Sequence, residues 1–229
     1  MTRHIGILAF PGVQQLDLTG PYEVFASLPD TKVHLIWKDR APITSATGLV
    51  LIPTMTFGEC PKLDVICVPG GGGVNALLED AETLAFVRAR AQQARYVTSV
   101  CTGSLVLGAA GLLKGRKATT HWFAHDFLER FGAIPVHGRV VRDGNLITAG
   151  GVTAGIDFGL TVVAELVGQA DAEAIQLGLE YAPAPPFAAG TPDEAPRAVL
   201  AAVKDRLAGT RKAREAIIGR LTASGTFAA

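Results

Sequence analysis

Three cysteines in 229 residues, none of them in a C-x-x-C pair, are too few and too scattered for a disulfide framework. They fit a reducing compartment, and a cytoplasmic protein is expected. Charge of one sign is missing too: 21 Lys+Arg stand against 21 Asp+Glu. That balance provides no basic stripe for a phosphate backbone, so no nucleic-acid partner is expected. The chain also lacks an apolar run suited to a bilayer. Tyr96 to Leu113 is uncharged over 18 residues, near the lower limit for a span, but it holds Thr98, Ser99, Thr102, Ser104 and three glycines. A strand, a turn and a helix account for it better, and no membrane partner is expected. The opening "MTRHIGILAFPGVQQLD" has a short apolar run that ends at Pro11, reads as a first strand, and shows no signal-peptide cleavage site. No internal repeat or low-complexity segment is present.

What is there is 48% hydrophobic residues, enough for one sizeable core. "HIGILAF", "KVHLIWK", "LDVICVP" and "YVTSV" are strand-like runs; "LDVICVP" is near-continuously apolar, as in a parallel sheet buried on both faces, and "YVTSV" reads as the next buried strand. "LVLIPTMTF" is extended and edge-like, broken by Pro53. Helical stretches lie between the strands. "TGPYEVFASL" is expected to be capped by Thr19 or Gly20, and "GSLVLGAAGLL" to be closed by Gly115. Asp143-Gly144 marks a hairpin, and Thr153 is placed to cap "AGIDFGLTVVAELV". The alternation predicts a doubly wound α/β sandwich with a mainly parallel sheet, flavodoxin-like, in a single domain over 1–229 whose core spans about 1–187. A Pro/Ala/Gly linker covers about 181–192. A short helical C-terminal tail follows over about 193–223, opening on a capping box, Thr191-Pro192-Asp193-Glu194. Val199, Leu200, Val203 and Leu207 form its apolar stripe, directed to the core or to a second subunit.

Cys101 stands where the "YVTSV" strand passes into a helix, at the carboxyl end of the sheet, where open α/β sheets bind ligands. The joint has the form of a nucleophile elbow. The free N–H groups of the helix start are expected to lower the thiol's pKa below about 8.5, and Cys101 reads as a nucleophile. Cys67, in mid-strand, reads as buried filler, and Cys60, before Pro61, as a loop thiol. Asp17 follows the first strand and belongs to the same rim, as an acid–base partner or as a local cap. His121 is available as a further partner or as a capping residue. His121 and His125 are four apart but have no accompanying acid or thiol, so no metal is expected. Gly71, Gly73 and Ala76 formally match G-x-G-x-x-A. However, the next strand ends at Cys101, where a ribose-binding acid would be needed, so no dinucleotide cofactor is expected. The glycines better serve to bring backbone N–H groups close to developing charge.

At these residues the chain resembles a known group. "FPGVQQLDLTGPYEVF", "DVICVPGG", "SVCTGSLVLGAAGLLKGRKATTHW" and "GGVTAGIDFGL" are similar to the ThiJ/PfpI, class I glutamine amidotransferase-like superfamily. The closest resemblance is to the branch that hydrates isocyanides (isonitriles). It covers residues 3 to 190 strongly and the tail more loosely. It implies hydration to N-substituted formamides through a covalent thioimidate, with no cofactor and no metal. In that reading Cys101 is the nucleophile and Asp17 the acid–base, with backbone N–H groups of Gly71 and Thr102 steadying charge. The Thr102 hydroxyl would orient Asp17 or water. His121, Gly150 and Val152 are implied as supporting residues, and a homodimer as the assembly. The superfamily's acid is commonly glutamate, so Asp17 departs from it, in agreement with the hydratase branch. Protease-like members carry His after the cysteine, and Thr102 departs from that, which puts peptidase activity in doubt. Similar motifs occur in sensor domains of AraC-type regulators, but only about forty residues follow Gly190, with no basic recognition helix. Other activities remain open: a cysteine enzyme acting on 2-oxoaldehydes in the manner of glyoxalases and deglycases, a non-catalytic ligand or redox sensor, or a structural, chaperone-like role.

Overall fold

The computed structural model describes residues 2–223. The strands are β1 (Arg3–Leu8), β2 (Thr31–Trp37), β3 (Ile43–Thr44), β4 (Val50–Leu51), β5 (Met55–Thr56), β6 (Val65–Val68), β7 (Tyr96–Val100), β8 (Lys117–Ala118), β9 (Ile134–Pro135), β10 (Val140–Asp143) and β11 (Leu146–Ala149). The helices are α1 (Gln15–Ala26), α2 (Val74–Leu77), α3 (Ala81–Ala91), α4 (Gly103–Ala109), α5 (Phe127–Arg130), α6 (Ala154–Val167), α7 (Gln169–Gly178) and α8 (Arg197–Ala223). Seven strands form one sheet in the order β10-β11-β7-β6-β1-β2-β5. Every pairing is parallel except β10 with β11. All residues of β6, β7 and β11 are buried, which is why these strands carry no charged residue.

From β1 the chain moves to β2 on one side and later to β6, β7 and β11 on the other. Right-handed crossovers therefore send the intervening helices to opposite faces. Helices α1, α6 and α7 pack together, while α4 packs with α2, α3 and α5. The reversal lies between β1 and β6, and the crevice outside their carboxyl ends is the predicted ligand position.

Local punctuation differs from expectation at several points. α1 starts at Gln15, not at Thr19 or Gly20, so Pro21 lies inside the helix and Asp17 sits in its first turn. α4 ends at Ala109 and is closed by Gly111, at φ 77, whose N–H donates to Gly108 O. Gly115 instead turns the chain toward Gly132. Thr153 precedes α6, but its Oγ1 accepts from Arg139 rather than from the helix backbone. The hairpin is present with Gly144-Asn145 as its loop. The Thr191–Glu194 box closes a turn through Thr191 Oγ1 and Glu194 Oε2, 2.9 Å apart, while α8 begins at Arg197, after Pro196. Proline disfavours helical geometry in the residue before it, which delays the helix past Ala195.

The stripe on α8 is also displaced. Val199 is 46% exposed, whereas Arg214 and Ile218 are buried and α8 packs on α5 and α2. Among the described residues no helix is long and apolar enough to cross a membrane.

Candidate active site

Cys101 follows β7 directly, 6% exposed and with φ 54. A non-glycine residue in this left-handed region costs on the order of 1–2 kcal/mol, so the surroundings must hold it. They do so through the backbone. Cys101 N–H donates to Ala149 O at 3.1 Å. Its carbonyl accepts from Thr120 Oγ1 at 2.9 Å and Ser104 Oγ at 3.3 Å. The strain aims the side chain into the crevice that the topology places there.

Asp17 reaches the same point from α1. Its side chain is fully buried, and Oδ2 accepts from Gly70 N–H at 2.9 Å. Oδ1 has no hydrogen-bond partner among the described residues. Burial raises the carboxyl's pKa from 3.8 to about 7, against Gly70 N–H and the Cys101 thiol, which both favour the carboxylate. The thiol departs from expectation. Burial first, then the charge of Asp17, push it well above its ordinary 9.0, and the Thr102 N–H only partly opposes them. A helix start of seven residues cannot outweigh desolvation beside a carboxylate. The resting pair is therefore a thiol beside a carboxyl poised near neutrality.

Gly71 is placed differently from expectation as well. Its N–H donates to Thr102 Oγ1 at 3.1 Å, not into the cavity. At φ 131, a Cβ on Gly71 would lie 2.4 Å from Gln14 N and 2.5 Å from Gly12 O. The glycine thus permits the loops after β1 and β6 to touch, where Val13 and Gly71 form an isolated bridge. The G-x-G-x-x-A resemblance has this packing cause. Thr102 meets Cys101 through its backbone N–H, and its hydroxyl is taken by Gly71.

A cavity of about 480 Å³ opens over Cys101, within the usual range for a small-molecule site. Thr102, Gly71, His121 and Val152 line it, with Phe123 and Leu207 supplying further apolar wall. His121 caps a short 3₁₀ turn (Trp122–Ala124), its Nδ1 accepting from Phe123 N–H at 3.3 Å. Burial, then Arg214, lower its pKa below 6.5 and keep it neutral. Gly150 lies outside the lining, its N–H bonded to Arg139 O at 2.9 Å. His125 is turned away from the cavity, stacked on His137 with ring centroids 3.9 Å apart. Among the described residues no three His, Cys, Asp or Glu side chains are grouped to hold a metal ion. Cys67 is fully buried, its pKa pushed up to about 12 by burial.

Sequence reasoning missed four contributors. Gly70 supplies the N–H that holds Asp17, and Thr120 holds the Cys101 carbonyl. Arg211 and Arg214, with Leu207, bring α8 in as a cavity wall. Arg211 forks onto Asp126 at 2.9 and 2.6 Å and lies over the Phe127 ring. The spacing 207, 211, 214, 218 marks one helix face, but two arginines hide it from a count of apolar residues.

A model of the DJ-1/PfpI family matches residues 3–165. The chain is 65% identical to the isonitrile hydratase of Pseudomonas putida, over 97% of this chain and 98% of the relative. It is 31% identical to the HTH-type transcriptional regulator GbdR of Pseudomonas aeruginosa, over 57% of this chain but only 36% of the regulator. Among solved structures, a THiJ/PfpI family protein of Pseudomonas syringae superposes with a TM-score of 0.93 at 51% identity, covering 96% of this chain and 91% of that one.

Proposed function

The chain belongs to the DJ-1/PfpI family, and from that premise we propose that it hydrates isocyanides to N-substituted formamides, with Cys101 as nucleophile. The observation that carries this reading is the near-full-length identity to an isonitrile hydratase. The thiol–carboxyl pair under a mostly apolar cavity supports the chemistry.

Asp17 as carboxylate takes the thiol proton, and the sulfur attacks the terminal carbon of R–N≡C. Asp17 returns that proton to the same carbon, giving the thioimidate R–N=CH–S–Cys101. Asp17, again a carboxylate, then takes a proton from water as the water oxygen adds to this carbon, and passes that proton to the nitrogen. Collapse of the hydroxyl to the formyl carbonyl expels the sulfur as thiolate; Asp17 takes the hydroxyl proton and returns it to the sulfur, and R–NH–CHO is released. A carboxyl with a pKa of about 7 suits both directions of transfer near neutral pH. The Thr102 N–H favours the thiolate between steps. Val152, Phe123 and Leu207 receive the substituent R, in keeping with a neutral substrate.

We also read the chain as a single domain whose tail closes the cavity, in a homodimer in the cytoplasm. All three cysteines are free, which suits a reducing compartment.

The test is formamide production from cyclohexyl isocyanide, followed by NMR, with Cys101→Ala beside the wild type. Turnover in the wild type alone supports the proposal. No formamide from the wild type overturns the substrate class and directs attention to 2-oxoaldehydes.

A further inference from the structure

Among the described residues Asp17 and Arg214 are the two buried side chains of the Asp, Glu, Lys and Arg set. Arg214 lies on α8, 6% exposed, and lines the cavity that Cys101 faces. Its Nε donates to Asn75 Oδ1 at 2.8 Å and one terminal nitrogen to Gly71 O at 3.3 Å. Among the described residues it forms no ion pair with a carboxylate, whereas Arg211 and Arg220 on the same helix pair with Asp126 and Glu79. Burying an unpaired guanidinium is costly, and a methionine or leucine would fill the same space without that cost. Its neutral partners leave the positive charge uncancelled toward the cavity. Asn75 is itself held by α8, its Nδ2 donating to Thr210 O at 3.3 Å, so the arginine is fixed rather than mobile.

We propose that Arg214 is a positioning residue of the Cys101 site, whose fixed positive charge favours the thiolate that forms when the thiol proton passes to Asp17. The role deepens the isocyanide-hydrating reading given above and rests on it for its place in turnover. The proton transfer converts thiol and carboxylate into thiolate and carboxyl, with no net change of charge. What changes is where the negative charge sits. Asp17 meets the sulfur from inside the protein, and Arg214 lies on the cavity side, so moving the charge from carboxylate to sulfur brings it toward the guanidinium. The charged and titratable groups around the sulfur are Asp17 from α1, Arg214 from α8 and neutral His121 after β8, with Arg211 already neutralised by Asp126. Burial and Asp17 raise the thiol's pKa, and Arg214 opposes them. The C-terminal helix is then part of the reaction site and not an appendage to it.

The test reads the thiol without substrate. Alkylation of Cys101 by neutral iodoacetamide is followed by peptide mass spectrometry from pH 5 to 9 in wild type, Arg214→Gln, Arg214→Lys and Asn75→Asp. Arg214→Gln is expected to displace the rising limb by about one pH unit upward, a roughly tenfold slower reaction at pH 7. Arg214→Lys should recover most of that loss. A merely structural arginine predicts the opposite sign, because loosening α8 admits the reagent faster. Asn75→Asp keeps the oxygen that receives Nε and places a negative charge on the guanidinium, so it should also slow alkylation. It decides the matter if Arg214→Gln fails to fold. Rates in the neutralised variants within twofold of wild type, or faster, overturn the proposal. Slower alkylation in a protein that produces no formamide would leave the role of Arg214 standing and remove the isocyanide reading instead.

Discussion

Asp17→Asn separates the stability of this fold from its chemistry. An unfolded aspartate ionises near 3.8, whereas burial holds the folded carboxyl to about 7. Between those values the native state keeps a proton that the unfolded state has released. Raising the pH from about 4 to 7 therefore weakens the wild type, and the loss is complete above 7. At about 1.4 kcal/mol for each tenfold change in proton affinity, the loss is roughly 4 kcal/mol. Asparagine does not titrate. Its oxygen can still accept from Gly70 N–H, but its amide nitrogen replaces the unpartnered Oδ1 and brings an unsatisfied donor. That change costs about 1–3 kcal/mol at every pH. The variant should thus be less stable than wild type at pH 4 and more stable at pH 8, with a crossing between. Urea unfolding at fixed protein concentration, at each pH from 4 to 8, measures the difference and removes every titration the two proteins share. In melting temperature the swing is roughly 8–16 °C for a chain of this size. A difference that stays constant within about 1 kcal/mol from pH 4 to 8 would refute the raised carboxyl, and with it the neutral-pH proton shuttle.

Gly70→Ala should lower kcat by more than about 100-fold while far-UV circular dichroism stays unchanged, since the new Cβ would lie 2.6 Å from Thr102 N and 2.8 Å from Asp17 Oδ2. Thr120→Val removes the stronger of two donors to the Cys101 carbonyl and should cost about 1–3 kcal/mol in urea unfolding. Arg211→Ala releases α8 from Asp126 and Phe127 and should raise KM for a bulky isocyanide more than it lowers kcat, read from steady-state kinetics across a substrate size series.

Why Cys101 and Asp17 could be found from sequence, while Arg214 and the thiol's pKa could not, has a physical answer. Parallel strands buried on both faces leave uncharged runs such as "VICV" and "YVTSV". Chain order then places whatever follows β1, β6 and β7 at one end of the sheet. Two residues 84 positions apart are brought together by topology alone, before any side-chain detail matters. The direction of a pKa shift has no such shortcut. It depends on how much water the surrounding loops exclude and on which neighbour keeps its charge. The helix start beside Cys101 is local and visible in sequence, whereas the desolvation that defeats it is collective.

The tail repeats the lesson in another form. Val199, Leu200, Val203 and Leu207 make the cleaner hydrophobic stripe, yet the half of α8 that docks is the half with Arg211, Arg214 and Arg220. These side chains dock through the carboxylates of Asp126 and Glu79, the Asn75 amide and the Gly71 carbonyl, with Arg211 also lying over the Phe127 ring. A helix that only had to cover a core would have no use for a buried arginine facing a thiol. That the docking face carries one, at the position of an apolar anchor, follows if the helix was placed to serve Cys101.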